Sequence, residues 1–255
     1  MDSKEYAELT NPERIAQDAE ANWARKKVSM NVGKLATGAI NLNVQGRRAL
    51  SPLQGFGQMW QKTYAIPIRT EEYAPKQMMA VWKARFPDFW PEGNHFYGPL
   101  KGIAPGEVAV LNISAPGGMK LSTGIEVMYA DEESFTFMTP EGHMFAGWIT
   151  FSAYEVEENL NVLQIQALIR ANDPLYELSF RMGFGHKAED KFWQQTLINL
   201  ARFFGDESAQ PTLEAVKVDP RMQWKEARNI WWNAGIRSGI YMMLTPVRWL
   251  KGGKK

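Results

Sequence analysis

Apolar and polar residues alternate with a period of two through the middle of this chain, and that period predicts β-strands. The clearest run is MKLSTGIEVMY, residues 119–129. Met119, Leu121, Thr123, Ile125, Val127 and Tyr129 fall on one face of it, and Lys120, Ser122 and Glu126 on the other. GEVAVLNIS precedes it across the turn residues APGG at 115–118. Turn ADEES, strand FTFM, turn TPEGH, strand MFAGWITFSAYEV, turn EENLN and strand VLQIQALIR follow in order. Such short connections imply an antiparallel meander with one buried face. Hairpin pairing carries that face from Met119–Tyr129 onto Phe135, Phe137, Phe145, Ile149, Leu163 and Ile165.

The period lengthens on either side of the meander. QMWQKTYAIPIR reads as a strand, and APKQMMAVWKARFPDFW as a helix with Met78, Val81, Trp82 and Phe86 on one side. In AEDKFWQQTLINLARFFG, Trp193, Leu197, Leu200 and Phe204 recur at helical spacing, widened by Phe192 and Ala201. Gly205 is placed to end that helix. A curved sheet with one apolar face needs a cover, and this helix is the long candidate, with Trp193 and Leu197 turned toward the sheet.

Outside this core the pattern weakens. Residues 10–27, TNPERIAQDAEANWARKK, predict a short amphipathic helix capped by Thr10 or Asn11, with Pro12 in its first turn. Residues 28–58 lose periodicity and read as an irregular arm. Residues 206–220 read as a linker bounded by Pro211 and Pro220, before a tryptophan-rich tail with another helix and a basic end. The expected division is therefore 1–58, an N-terminal helix and arm; 59–205, the main domain; and 206–255, linker and tail.

Composition narrows the chemistry. Lys and Arg number 29 against 28 Asp and Glu, a balance that gives no drive toward nucleic acid. No cysteine is present, which removes disulfides, thiolate nucleophiles and cysteine metal sites and fits a reducing, cytoplasmic setting. The opening MDSKEYAELTNPERIAQDAE lacks the apolar core of a secretory signal. No apolar run of about 18 residues suggests a spanning helix. Ten tryptophans, thirteen phenylalanines and thirteen methionines imply a bulky core, and room in it for an apolar cavity.

The element order resembles the START/Bet v 1-like superfamily, also called SRPBCC. The resemblance implies an α+β helix-grip fold, a curved antiparallel sheet wrapped around a long C-terminal helix, here with helical extensions at both ends. It covers roughly residues 60–205. Within it, Thr139, Gly142, His143, Gly147 and Phe151 are similar to a T-x-x-G-H-x-x-x-G-x-x-x-F pattern of an uncharacterised branch of bacterial and plant proteins. That branch carries an acidic pair after the second glycine, where this chain has Trp148 and Ile149. The superfamily spans carriers, cyclases, hydrolases and chaperone regulators, so the fold does not select a function.

Three functional expectations follow. The first is a hydrophobic small molecule or lipid bound between sheet and helix by Thr123, Ile125, Phe137, Phe145, Ile149, Leu163, Ile165, Trp193 and Leu197, with Gly124 and Gly147 leaving room. The second is a hydrolase or isomerase on an apolar substrate, with His143 as acid/base and Glu141 beside it; against it, Pro140–Gly142 read as a hairpin turn opening on His143. The third is an interaction or membrane-peripheral subunit, or a homo-oligomer, using Trp231, Trp232, Tyr241 and Trp249 with Arg237, Arg248, Lys251, Lys254 and Lys255. His95, His143 and His186 lie too far apart in sequence for a recognisable metal motif, and no metal or cofactor is expected.

Overall fold

A computed structural model describes residues 20–34, 37–99, 101–114 and 120–244. The alternating segments become a nine-stranded antiparallel sheet. Its strands are β1 (Ala49–Leu50), β2 (Met59–Arg69), β3 (His95–Tyr97), β4 (Val108–Ser114), β5 (Lys120–Ala130), β6 (Ser134–Pro140), β7 (Phe145–Glu157), β8 (Leu160–Ala171) and β9 (Thr212–Asp219). They run in the order β3-β4-β5-β6-β7-β8-β2-β9, and β1 pairs with β6 beside that path. The meander read from the sequence is the stretch β4 to β8. The fold is α+β, as expected.

Among the described residues, four α-helices accompany the sheet: α1 (Pro75–Ala84), α2 (Pro174–Arg181), α3 (Phe184–Phe203) and α4 (Ala234–Met243). Pro75 opens α1, and Pro87 turns the rest of the predicted helix into a 3-10 segment over Phe86–Phe89. The long predicted cover is α3, which begins four residues earlier than the apolar stripe suggested and ends just before Gly205.

The core lies between α1, α3 and the inner face of the sheet. Tyr64, Ile66 and Ile68 of β2, Phe135 of β6, Phe151 of β7, and Leu197 and Leu200 of α3 are fully buried there. Phe86 stands edge-on to Phe135, Phe137 and Phe151 at 5.2–5.5 Å between ring centres, and Trp193 meets Phe151 at 5.5 Å. Edge-to-face contacts of this kind add to the stabilisation from apolar burial and fix the ring positions.

Four findings differ from the sequence reading. Tyr129 leaves the inward set, because a bulge between Val127 and Tyr129 shifts the register against β6; Tyr129 packs on Trp23, with ring centres 4.8 Å apart. The outer face of β5 is covered as well: Ser122 and Glu126 are buried, and the arm seats Met30 and Val44 against Val108 and Val110. Residues 212–219, expected as linker, form β9 on the free edge of β2. Pro211 and Pro220 bound that strand, and Pro67 of β2 lies beyond its pairing, where no amide is needed. Among the described part of the predicted 10–27 helix, only Glu20 and Ala21 are helical; residues 10–19 lie outside the described residues, as does Met119.

Arm and tail are bound to the sheet by buried polar contacts. Asn43 Nδ2 donates to the Ser122 carbonyl at 2.8 Å, Ser122 N–H donates to Ser238 Oγ at 3.1 Å, and Arg237 Nε donates to Asn43 Oδ1 at 2.9 Å. The tail is helical, as expected: a 3-10 segment over Trp224–Trp232 leads into α4.

Candidate functional site

Where α3 diverges from the sheet, the two do not fill the space between them. A cavity of about 530 Å³ remains, a size that accommodates a small organic ligand. Its floor is the inner face of the sheet, with Leu111 and Ile113 of β4, Leu121 and Ile125 of β5, Phe137 of β6, Phe145 and Ile149 of β7, and Ala167 and Ile169 of β8. One wall is α3, through Phe184, Ala188, Glu189, Phe192 and Trp193. Another is α2, through Tyr176, Ser179 and Phe180, and a third is α4, through Gly235, Ser238, Gly239 and Met242. Trp90, Asn94 and Phe96 close the β3 side. Ser114 and Lys191 line it yet are exposed, which marks where it opens to water.

Local chemistry sets these walls. Asp173 caps α2 by accepting from the Leu175 and Tyr176 amides at 2.9 and 3.1 Å, and Pro174 follows at the first helical position. Its second oxygen accepts from Asn233 Nδ2 at 2.8 Å, which ties α2 to the start of α4. Burial raises the Asp173 carboxyl above its ordinary range against those hydrogen bonds, which favour the ionised form. The Tyr176 hydroxyl accepts from the Gly235 amide at 2.9 Å, and burial raises its pKa.

Of the nine residues expected to touch a ligand, Ile125, Phe137, Phe145, Ile149 and Trp193 line the cavity. Leu163, Ile165 and Leu197 are fully buried in the adjoining core instead, farther along the same strands and helix. Thr123 is fully buried between Leu121 and Ile125, its hydroxyl without a hydrogen-bond partner among the described residues, and it is not part of the lining. Gly124 and Gly147 do not make the room either. A Cβ on Gly124 would meet Val44 of the arm at 2.8 Å, and one on Gly147 the Leu168 carbonyl at 2.2 Å. Short residues on facing walls, Ala167, Ala188 and Gly239, line the space, and a Cβ on Gly239 would meet nothing within 4 Å.

His143 also lines the cavity, at 7% exposure. Its Nδ1 lies 3.0 Å from the amide nitrogen and 3.1 Å from the carbonyl oxygen of Phe145. The amide has a hydrogen to donate, which assigns Nδ1 as acceptor and the ring proton to Nε2. Burial lowers its pKa to about 4, so the ring is neutral at pH 7. Glu141 does not reach it: the carboxylate accepts from Arg48 Nη2 at 2.7 Å, and Glu141 is not part of the lining. The expected acid/base pair is therefore not formed, because the hairpin corner hands one residue to the arm and the other to the cavity.

The sequence reading missed the walls supplied by α2 and α4, and the buried carboxylate of Glu189. Glu189 is 8% exposed and accepts an ion pair from the buried Lys62 at 2.8 Å. A signal for α4 was present in NAGIRSGI, where Gly235, Ser238 and Gly239 form a small face that lets a helix approach closely. Of the tail aromatics, Trp224 and Trp231 are exposed, Trp232 sits under the Arg47 guanidinium at 4.0 Å, and Trp249 lies outside the described residues. No helix among the described residues is long and apolar enough to cross a membrane.

No family model matches the chain, and no curated protein does. Several solved structures are similar in part. Ms6760 from Mycobacterium smegmatis is 12% identical, over 55% of this chain and 89% of that one, with a TM-score of 0.39. The KanY protein is 11% identical over 56% and 94%, with a TM-score of 0.44. The di-domain ARO/CYC StfQ from the steffimycin biosynthetic pathway is 12% identical over 58% of this chain and 51% of that one, with a TM-score of 0.43, so the match spans about half of that protein. At such identities the names of these proteins describe them and not this chain.

Proposed function

We propose that this protein binds a hydrophobic small molecule or lipid in the space between the sheet and α3. The cavity itself carries this reading. It is walled mainly by aromatic and aliphatic side chains, with a few separated polar groups, and it opens to solvent at Ser114 and Lys191. Such walls give affinity through apolar burial and leave selection to the polar groups. With His143 neutral, uncoupled from Glu141 and hydrogen-bonded to backbone, binding is favoured over acid/base turnover. In this reading the chain is a helix-grip protein of the START/Bet v 1-like kind, its T-x-x-G-H corner serving as part of the binding wall.

Organic extraction of the purified protein followed by mass spectrometry tests the proposal. A discrete apolar compound carried at a fixed ratio to protein is the expected result. A protein that carries none, and takes up none when incubated with a mixed lipid extract, would overturn it.

A second reading concerns the outside of the same walls. Leu175, Leu178, Met182 and Phe184 on or beside α2, and Ile236, Ile240 and Met243 on α4, are exposed. The sequence beyond α4 adds Arg248, Trp249, Lys251, Lys254 and Lys255, a composition suited to an anionic lipid surface. Ligand exchange at a membrane would use this collar. Flotation with vesicles containing anionic lipid should carry the protein upward, less so for an Ile240→Ser, Met243→Ser double variant. Equal flotation of both proteins, or of neither, would exclude it.

A further inference from the structure

The inner-face row of the sheet that crosses the cavity floor ends in a charge. Reading across paired strands, Phe137 of β6 faces Ile149 of β7, Ile149 faces Ala167 of β8, and Ala167 faces Lys62 of β2. Three of these four residues line the cavity, and the fourth is a lysine at 2% exposure. Its ammonium lies 2.8 Å from Glu189 Oε2 and 2.6 Å from Asp190 Oδ1, and Asp190 Oδ1 also accepts from the Tyr64 hydroxyl at 2.7 Å.

This cluster is unbalanced. One formal positive charge, on Lys62, faces two carboxylates, and the ring nitrogen Nδ1 of His186 is 3.9 Å from Glu189 Oε2, too long for a hydrogen bond. Burial and the nearby Glu189 and Asp190 raise the pKa of Tyr64, so the phenol stays a neutral donor. Of the two carboxylates, Glu189 is the one on the cavity wall, and its Oε1 receives no hydrogen bond from any described residue. A carboxylate in an apolar enclosure gains most from a charge-assisted donor.

We propose that Glu189 anchors the head group of the ligand and that this group is a cation, so the cavity selects apolar amines. The proposal rests on the cavity being a ligand site. The apolar body lies over Ile149 and Phe137, and the ammonium meets Glu189 beside Ala167, whose short side chain leaves the approach open. An apolar carboxylate of equal length meets the excess negative charge instead. Two lysines also line the cavity, both toward its mouth. Lys191 is exposed and keeps its charge in water, and Lys120 Nζ is held at the rim by the Gly93 carbonyl at 2.5 Å and Ser114 Oγ at 3.1 Å.

Competition by decylamine, decanol and decanoate against N-phenyl-naphthylamine bound to the full chain tests this, below the concentration at which each self-associates. Decylamine should displace the reporter about tenfold more effectively than decanoate at pH 7. Glu189→Gln should lower decylamine affinity by a similar factor and leave decanol within about twofold. Lys62 keeps Asp190 as a partner in that variant, so the fold is retained, and circular dichroism checks it. The ranking on the unaltered protein stands even if the variant fails to fold. Equal or tighter binding of decanoate, or an unchanged ranking in a folded Glu189→Gln, overturns the anchor while leaving the cavity reading intact. If neither the reporter nor any of the three binds, both fall.

Discussion

The Phe145 amide donates to Nδ1 of His143 at 3.0 Å, and this contact fixes a buried, neutral imidazole at the corner between β6 and β7. The physical consequence is a pH dependence of stability. In the unfolded chain the ring titrates near 6.5, whereas in the folded protein it titrates at about 4. Between those values the unfolded state binds a proton that the native state refuses, so stability falls as pH drops through that window. A shift of this size corresponds to about 3 kcal/mol. Asp173 and Glu126, whose carboxyls burial raises, act with the opposite sign nearby, so the signature is the difference between proteins. Urea unfolding of the unaltered protein and of His143→Gln at pH 7 and at pH 4.5 should show a smaller loss in the variant. Equal losses would remove His143 as the cause.

Ala167 provides the second prediction. It sits on the cavity floor at 2% exposure, in the row that joins Ile149 to Lys62. Ala167→Leu places a larger apolar side chain in empty space rather than in packed core, so it should leave the melting temperature unchanged or raised. Binding of an apolar ligand should weaken about tenfold or more. A folded variant that binds as before would show that ligands bind elsewhere.

Docking of the tail depends on Gly142. The Ala234 amide donates to its carbonyl at 2.8 Å, and a Cβ there would lie 2.0 Å from the Trp232 carbonyl oxygen, with φ at +90°. Gly142→Ala should therefore cost about 2 kcal/mol or more, against about 1 kcal/mol for Gly205→Ala. Gly205 has the same φ of +90° and nothing near its missing Cβ. Similar losses in chemical denaturation would mean that the tail does not press on this corner.

Arg170 holds the free edge of the sheet to the tail. At 1% exposure, its guanidinium donates to the Gly57 and Arg221 carbonyls at 2.6 and 2.8 Å and to Asp219 Oδ2 at 2.6 Å. Asp219 is held well below the usual carboxylate range, mostly by hydrogen bonds from Arg221 and then by Arg170. Arg170→Ala strands two carbonyls and should cost about 3 kcal/mol by chemical denaturation. A loss below about 1 kcal/mol would show that water replaces the guanidinium without penalty.

The meander was legible because the strands from β4 to β8 turn their large apolar residues to one face, so period-two patterning survives in the residues. Its long covering helix was legible because its apolar stripe keeps helical spacing. Ile125, Phe137, Phe145 and Ile149 were legible from the strand alternation, and Trp193 from the helical stripe. What the pattern could not separate is lining from core: Leu163 and Ile165 share a face with Ala167 and Ile169, and only the divergence of α3 decides which meet open space. The bulge that turns Tyr129 outward leaves no mark in an otherwise perfect alternation. Strand β9 was hidden because Pro211 and Pro220 read as loop residues, although they only bound it. Glu189 falls between apolar neighbours on the inner face of a helix, and its meaning depends on Lys62, 127 positions away.

The central claim, an apolar ligand site between sheet and helix, is tested most directly by titrating N-phenyl-naphthylamine into the purified chain while exciting tryptophan. Trp90, Trp148 and Trp193 all line the cavity, so a bound probe should quench protein emission by energy transfer as its own rises. The expected result is saturation at one probe per chain, weakened in Ala167→Leu. A linear, unsaturable signal, or saturation unaffected by that substitution, would contradict the account.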